Sequence, residues 1–223
     1  MTLQEEEMVK NIVFDLGGVI IPLNRVACIR AFDEIVGYKE FARMLNAYRQ
    51  IGFFDSFETG RISARKFRQI IRANSSHIKD GKARIVTDRQ IDYSLNRYLG
   101  DIPQDKIETL LFYRDGYRLF LLSNTNPIGM SYAKKLFMDK GYRVTELFED
   151  LFLSYKMGVA KPSKEIYDRM IRKTGIAPQE TLFIDDSPAN IETAASMGFQ
   201  VILYNPKDDL YGKISEYLER EQR

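Results

Sequence analysis

The chain has 223 residues, 44% of them hydrophobic and 29% charged, which suits a soluble globular protein of one large or two modest domains with ample length for a buried core. Its 33 basic and 31 acidic residues leave a net charge of +2, so the balance carries no footprint of a nucleic-acid or membrane-surface partner. A single cysteine, Cys28, excludes an internal disulfide framework and fits a reducing compartment; residues 1–10 are polar and acidic with no signal-peptide core, no run approaches a membrane span, and the expected setting is cytoplasmic.

In chain order, Ile12 to Phe14 reads as a short buried strand that stops at Asp15. From Pro22 to about Gly100 the pattern changes to helix-period faces: Val26, Ile29, Phe32 and Ile35-Val36; then Phe41, Leu45 and Tyr48; then Phe67, Ile70 and Ile71; then Ile91, Leu95 and Tyr98. Leu119 to Leu122 is a second buried strand. Asn126-Pro127 opens a helix through Met138 that ends near Gly141. Leu151 to Leu153 is a weaker strand, Pro162-Ser163 opens a helix over Glu165 to Lys173 closed by Gly175, and Leu182 to Ile184 is the next strand. Ser187-Pro188 opens Ile191 to Met197, closed by Gly198; Val201 to Tyr204 is the last strand, and Lys213 to Arg223 reads as a charged surface helix. Strands alternating with helices give an α/β class with a parallel, Rossmann-like sheet core. The expected core is 1–21 plus 101–223, and 22–100 is an inserted, mostly helical cap domain.

Residues just past the carboxyl ends of parallel strands line the ligand crevice. Four segments fall there. Asp15-Leu16-Gly17-Gly18-Val19 places an aspartate at a strand tip, where it can attack a phosphoryl group, although Asp-x-Gly-Gly is also a common turn. Ser123-Asn124-Thr125-Asn126 offers a hydroxyl, an amide and backbone N–H groups ahead of a helix, a phosphate cradle or a simple helix cap. Lys161, held extended by Pro162, can aim an ammonium at accumulated negative charge. Asp185-Asp186 end a buried strand, where two adjacent acids are costly without compensation; capping accounts for one of them and not both. Carboxylates gathered at one rim repel each other, and a hard cation such as Mg²⁺ is the usual remedy.

The order Asp loop, Ser-Asn, Lys-Pro, Asp-Asp resembles the haloacid dehalogenase superfamily of hydrolases across nearly the whole chain, and the insert resembles that superfamily's type-1 cap. Phe14 to Val19, Leu122 to Asn126 and Phe183 to Asn190 look most like a branch of bacterial sugar-phosphate phosphatases that includes an α-glucose-1-phosphate phosphatase. The last of these also resembles the phosphatase domain of soluble epoxide hydrolases. The resemblance implies a Mg²⁺-dependent phosphatase that hydrolyses a small phosphomonoester, a sugar phosphate, through an aspartyl-phosphate on Asp15. It implies metal ligation by Asp15, the Gly17 carbonyl and Asp186, with Asp185 as a ligand or behind one. Ser123 and the Asn124 backbone would hold phosphoryl oxygens, and Lys161 would neutralise charge. The partner is a small phosphorylated molecule; oligomeric state is not legible.

Family phosphatases usually carry a second aspartate two positions after the nucleophile as general acid and base. Here that position is Gly17, and general acid–base help is worth about 10²–10⁴-fold. A cap residue could substitute, an anomeric leaving group could need less protonation, or the chain could be a weak binding or regulatory module. A 2-haloacid dehalogenase is the rival within the fold, but its chemistry leaves Asp185 and Asp186 without a task. His77 reads as a solvated loop residue, Cys28 as an inert thiol, and Arg61, Arg65, Lys66, Arg68 and Arg72 as a solvated basic face of which one member could meet phosphate. Asp55 to Gly60 reads as a cap loop and a candidate for substrate selection.

Overall fold

The computed structural model describes residues 8–45, 50–76, 78–79, 82–83 and 85–221. Strand β1 (Asn11–Phe14) is wholly buried, as its unbroken apolar run requires of a strand covered on both faces. The chain then leaves the sheet for the insert. There it forms α1 (Arg25–Ala31), a π turn over Phe32–Val36, a 3-10 turn over Lys39–Arg43, α2 (Gly52–Glu58) and α3 (Ala64–Ala73). A small antiparallel hairpin, β2 (Ile78–Lys79) with β3 (Lys82–Ala83), and α4 (Asp88–Asn96) complete the insert. Thr87 starts α4 through a capping box with Gln90, and Ser63 caps α3.

The return path runs through α5 (Gln104–Arg114), β4 (Arg118–Ser123), α6 (Pro127–Asp139), α7 (Val144–Leu147), β5 (Asp150–Leu153) and α8 (Ser154–Met157). It continues with α9 (Lys164–Thr174), β6 (Thr181–Asp185), α10 (Pro188–Ser196), β7 (Gln200–Leu203) and α11 (Leu210–Glu221). The five long strands form one parallel sheet in the order β5-β4-β1-β6-β7. In register, Phe14 lies beside Leu121 on one side and Ile184 on the other, so the residues that follow these three strands meet at one rim.

Side chains alternate between the two sheet faces. Ile12, Phe14, Leu121 and Ile184 join Leu110, Met130, Phe137 and Ile214 in one buried layer. Val13, Phe120, Leu122 and Phe183 join Ile166, Tyr167, Met170 and Ala194 in the other. The insert has its own apolar cluster, in which Phe57 stacks on Phe67 at 4.3 Å and Phe32 on Phe41 at 3.5 Å. Burying a side chain such as Phe57 contributes about 1.5–3 kcal/mol. Ile128 of α6 is buried in that cluster and ties it to the sheet layer.

Entry and exit of the insert run side by side. Asn24 N donates to Tyr98 O at 2.7 Å, Gly100 N donates to Pro22 O at 2.8 Å, and Leu23 pairs with Leu99 as an antiparallel bridge. Beyond short elements the sequence pattern does not give, such as the β2–β3 hairpin, α7 and α8, three helices differ from it in ways that bear on packing. Residues 55–58 continue α2 rather than forming a loop, because Phe54 and Phe57 bury one face of that helix. Helix α5 escapes the pattern reading because its buried side includes the polar Lys106 and Thr109. Helix α11 is more than a charged surface element, since Leu210, Ile214 and Leu218 are buried against the sheet layer.

Candidate active site

Asp15 is the first residue beyond β1. Its N–H donates to Ile184 O at 2.9 Å, and its Oδ1 accepts from Leu16 N at 2.7 Å. The chain then folds tightly back, with Ile20 N and Ile21 N both donating to Leu16 O. Gly18 is required twice over: its φ is +82°, and a Cβ there would lie 2.2 Å from Asp186 Oδ2. The glycine pair is therefore more than a turn, for it admits the carboxylate of another loop. Gly17 is limited differently, since a Cβ there would meet Leu23 Cδ2 at 3.0 Å.

Lys161 has no exposed side-chain surface, and its ammonium has three partners for three protons. Nζ lies 3.0 Å from Asp15 Oδ1 and donates to Asp185 Oδ2 at 2.6 Å and Leu122 O at 2.7 Å. Burial pulls its pKa down, but the charges of Asp15 and Asp185 outweigh that and hold it above the ordinary lysine value. The Lys161–Pro162 peptide is cis. Asn124 fixes this segment with a two-bond clasp: Lys161 N donates to Asn124 Oδ1 at 2.8 Å, and Asn124 Nδ2 donates to Lys161 O at 2.9 Å. Its side chain thus orients the lysine loop. Ser123 is 2% exposed, and both residues line the cavity above Asp15.

Asp185, the last residue of β6, has both carboxylate oxygens engaged. Oδ1 accepts from Ser187 N at 2.8 Å and Asn190 Nδ2 at 2.9 Å, and Oδ2 takes Lys161 and Asn190 Nδ2 at 3.0 Å. Ligand oxygens of Asp15, Asp185 and Asp186 all lie within 4.8 Å of one another. Burial pushes the Asp15 carboxyl up to about 7, with Lys161 opposing and Asp185 and Asp186 adding to it. Asp186 rises to about 6 through burial and the charge of Asp185, against the pull of Lys161. One ammonium thus faces three carboxylates, and their chemistry and spacing fit a hard divalent cation. Gly17 lines the same cavity.

The insert roofs this cavity with Leu23, Phe54, Glu58, Leu95 and Tyr98. Glu58, at the end of α2, is displaced to about 8 by burial, then by the charges of Asp55 and Asp15. The sequence pattern includes Glu58 in the Asp55 to Gly60 segment read as a candidate for substrate selection, but does not single out its carboxyl. The available signal was spacing: Glu58 lies one helical turn after the buried Phe54 and shares its face. Ser154 was missed altogether. Its Oγ accepts from Thr125 N at 2.9 Å and lies within donating distance of Glu58 O (2.6 Å) and Thr125 O (3.0 Å), joining insert to sheet rim.

The remaining candidates fall elsewhere. Arg68 is held by Asp92 at 2.6 Å, Arg72 pairs with Asp88, and Arg61 pairs with Asp55. Cys28 is fully buried, and its thiol is pushed up to about 12 by burial, as suits an inert group. His77 and Tyr48 lie outside the described residues. No helix among the described residues is long and apolar enough to cross a membrane.

Residues 9–198 match the haloacid dehalogenase-like hydrolase family. The chain is 35% identical over 194 residues to the D-ribitol-5-phosphate phosphatase of Bacteroides thetaiotaomicron, covering 86% of this chain and 90% of that protein. Among solved structures, a family enzyme from the same organism, in complex with magnesium and inorganic phosphate, superposes with a TM-score of 0.81 at 37% identity; 90% of this chain and 96% of that one are covered. A predicted family hydrolase from Porphyromonas gingivalis gives 0.83 at 36% identity, covering 95% and 98%. An L-2-haloacid dehalogenase from Xanthobacter autotrophicus gives 0.57 at 18% identity over 87% of this chain and 76% of that one, a likeness of fold alone.

Proposed function

This chain belongs to the haloacid dehalogenase-like hydrolase family, and from that membership we propose that it is a Mg²⁺-dependent phosphatase of small phosphomonoesters, acting through an aspartyl-phosphate on Asp15. The observation that carries this reading is the convergence of Asp15, Asp185 and Asp186 around a single buried lysine. Such a cluster is short of positive charge by itself, and a divalent cation together with a phosphoryl group of matching geometry completes it. Halide displacement from carbon needs no cation and leaves the clustered Asp186 without a task.

In this mechanism the Asp15 carboxylate attacks phosphorus in line with the leaving oxygen, while Lys161 holds Asp15 in position and offsets charge on the phosphoryl oxygens. Ser123 and the backbone of its loop bind those oxygens. Asp15, Asp186 and the Gly17 carbonyl would hold Mg²⁺, which when bound shields the negative charge of nucleophile and phosphoryl from each other. Asp185, whose oxygens are already taken, orients Lys161 from behind. The insert acts as a type-1 cap over residues 22–100, excluding water while the first step proceeds.

The relative's substrate supports an acyclic sugar or polyol phosphate, and the α-glucose-1-phosphate phosphatase branch marks the cyclic alternative. The test is phosphate release from D-ribitol 5-phosphate, α-glucose 1-phosphate and p-nitrophenyl phosphate, with Mg²⁺ and with EDTA. EDTA and Asp15→Asn are each expected to abolish release. Full activity in Asp15→Asn, or turnover indifferent to chelation, would overturn the reading.

A further inference from the structure

We infer that Glu58 is the general acid and base of this reaction, delivered by the helical insert in place of the carboxyl that Gly17 lacks. The inference rests on the phosphatase reading above and adds to it the residue that moves the protons.

The carboxyls lining the cavity are those of Asp15, Asp186 and Glu58 among the described residues. Asp15 is the nucleophile and Asp186 faces the cation position, whereas Asp185 is consumed by Lys161, Ser187 and Asn190. Glu58 alone has no other task. The nucleophile loop does not supply the acid itself, since Gly17 carries no side chain and Leu23 packs against its Cα, with Cδ2 3.0 Å from where a Cβ would stand.

Glu58 is also held as an acid must be. Its carbonyl lies 2.6 Å from Ser154 Oγ, itself bonded to Thr125 in the Ser123 loop. Two residues on, a Cβ at Gly60 would lie 2.2 Å from Tyr155 O, so the chain after Glu58 rests directly on the backbone of the sheet rim. These contacts fix the end of α2 against the two loops that flank the substrate phosphate. Burial and the neighbouring Asp55 and Asp15 charges keep the Glu58 carboxyl protonated near neutral pH, at about 8. Asp186, Lys161 and Tyr98 also line this space and complete the charged and titratable groups on the cavity wall.

The proton balance closes over two steps. As an Asp15 oxygen bonds to phosphorus and the ester P–O bond breaks, the Glu58 proton passes to the leaving oxygen, giving the alcohol and a Glu58 carboxylate. Water then attacks the phosphoryl group on Asp15, Glu58 takes its proton, the Asp15 O–P bond breaks, and orthophosphate leaves with Glu58 protonated again. An acyclic polyol leaves as a strongly basic alkoxide unless protonated, so the relative's type of substrate makes such an acid necessary.

The experiment compares wild type, Glu58→Gln and Glu58→Asp on p-nitrophenyl phosphate and on D-ribitol 5-phosphate, or whichever alkyl phosphate the wild type hydrolyses, by rapid mixing. For Glu58→Gln, kcat on the alkyl phosphate is expected to fall about 10²–10⁴-fold with little change in KM. With p-nitrophenyl phosphate, whose leaving group needs no proton, it should release a burst of p-nitrophenolate equal to the enzyme concentration and then turn over slowly. Glu58→Asp, which retains a carboxyl, should recover part of the lost rate on both substrates. Wild-type kcat on the alkyl phosphate in Glu58→Gln, or equal slowing of both substrates without a burst, would overturn the inference and leave the phosphatase reading standing. No Asp15-dependent phosphate release by the wild type would instead bring down that reading, and the inference with it.

Discussion

Asp186 occupies the space that any side chain at position 18 would need: a Cβ on Gly18 would lie 2.5 Å from Asp186 Cγ and closer still to Oδ2. Gly18→Ala is therefore expected to push Asp186 out of the cluster. Backbone strain at φ +82° adds a stability loss of about 1–2 kcal/mol. Urea unfolding reads the strain, and the Mg²⁺ concentration for half-maximal activity reads the displaced ligand. An unchanged Mg²⁺ requirement would show that Asp186 does not bind the metal.

Asp185→Asn tests the division of labour between the adjacent acids. The variant keeps the shape but leaves the buried Lys161 with Asp15 as its remaining carboxylate. Breaking one side of a buried ion pair costs about 3–5 kcal/mol. Activity should fall because Lys161 is no longer aimed, while Mg²⁺ half-saturation should shift less than in Asp186→Asn. Metal titration of both variants decides this; a larger shift in Asp185→Asn would make Asp185 a direct ligand.

The metal-free protein should lose stability as pH rises from 5 to 8. Asp15 and Asp186 titrate at about 7 and about 6 in the folded chain, above their ordinary carboxylate values. Between the unfolded and folded values the folded state binds more protons, so raising the pH through that window favours unfolding. Glu58, at about 8, extends the window upward. In EDTA, the thermal midpoint is expected to drop by several degrees across this range, and Mg²⁺ should restore it mainly at the alkaline end, where the ligands are charged. A midpoint that rises with pH in EDTA would contradict this arrangement.

Much of the fold is legible because buried parallel strands are unbroken apolar runs and their helices are marked by Pro at the start and Gly at the end. Phe14, Leu122 and Ile184 could thus be placed at one rim from the pattern alone, and with them the acids and polar residues that follow. What pattern reading misses depends on contacts distant in sequence. Asn124 looks like a phosphate or cap residue until Lys161, far along the chain, is seen between its amide oxygen and nitrogen. Glu58 reads as part of a polar loop because its spacing from Phe54 is a weak signal beside contacts made from far along the chain, by Ser154 to its own carbonyl and by Tyr155 at Gly60. The buried face of α11 is diluted by charges, and only packing against the sheet separates Leu210, Ile214 and Leu218 from a surface stripe.

The parity of an extended chain assigns the two neighbouring acids their separate surroundings. Asp185 points to the same side as Phe183, toward Lys161, whose ammonium lies 5.5 Å from that ring, whereas Asp186 emerges beside Gly18. The pair is consequently not interchangeable despite identical chemistry. Inserting a residue within β6 would carry Asp185 to the notch at Gly18 and take its carboxylate from Lys161, whereas deleting one would bring Asp186 to Lys161 and leave the notch without a carboxylate. The spacing of that strand therefore tolerates substitution far better than a change in its length.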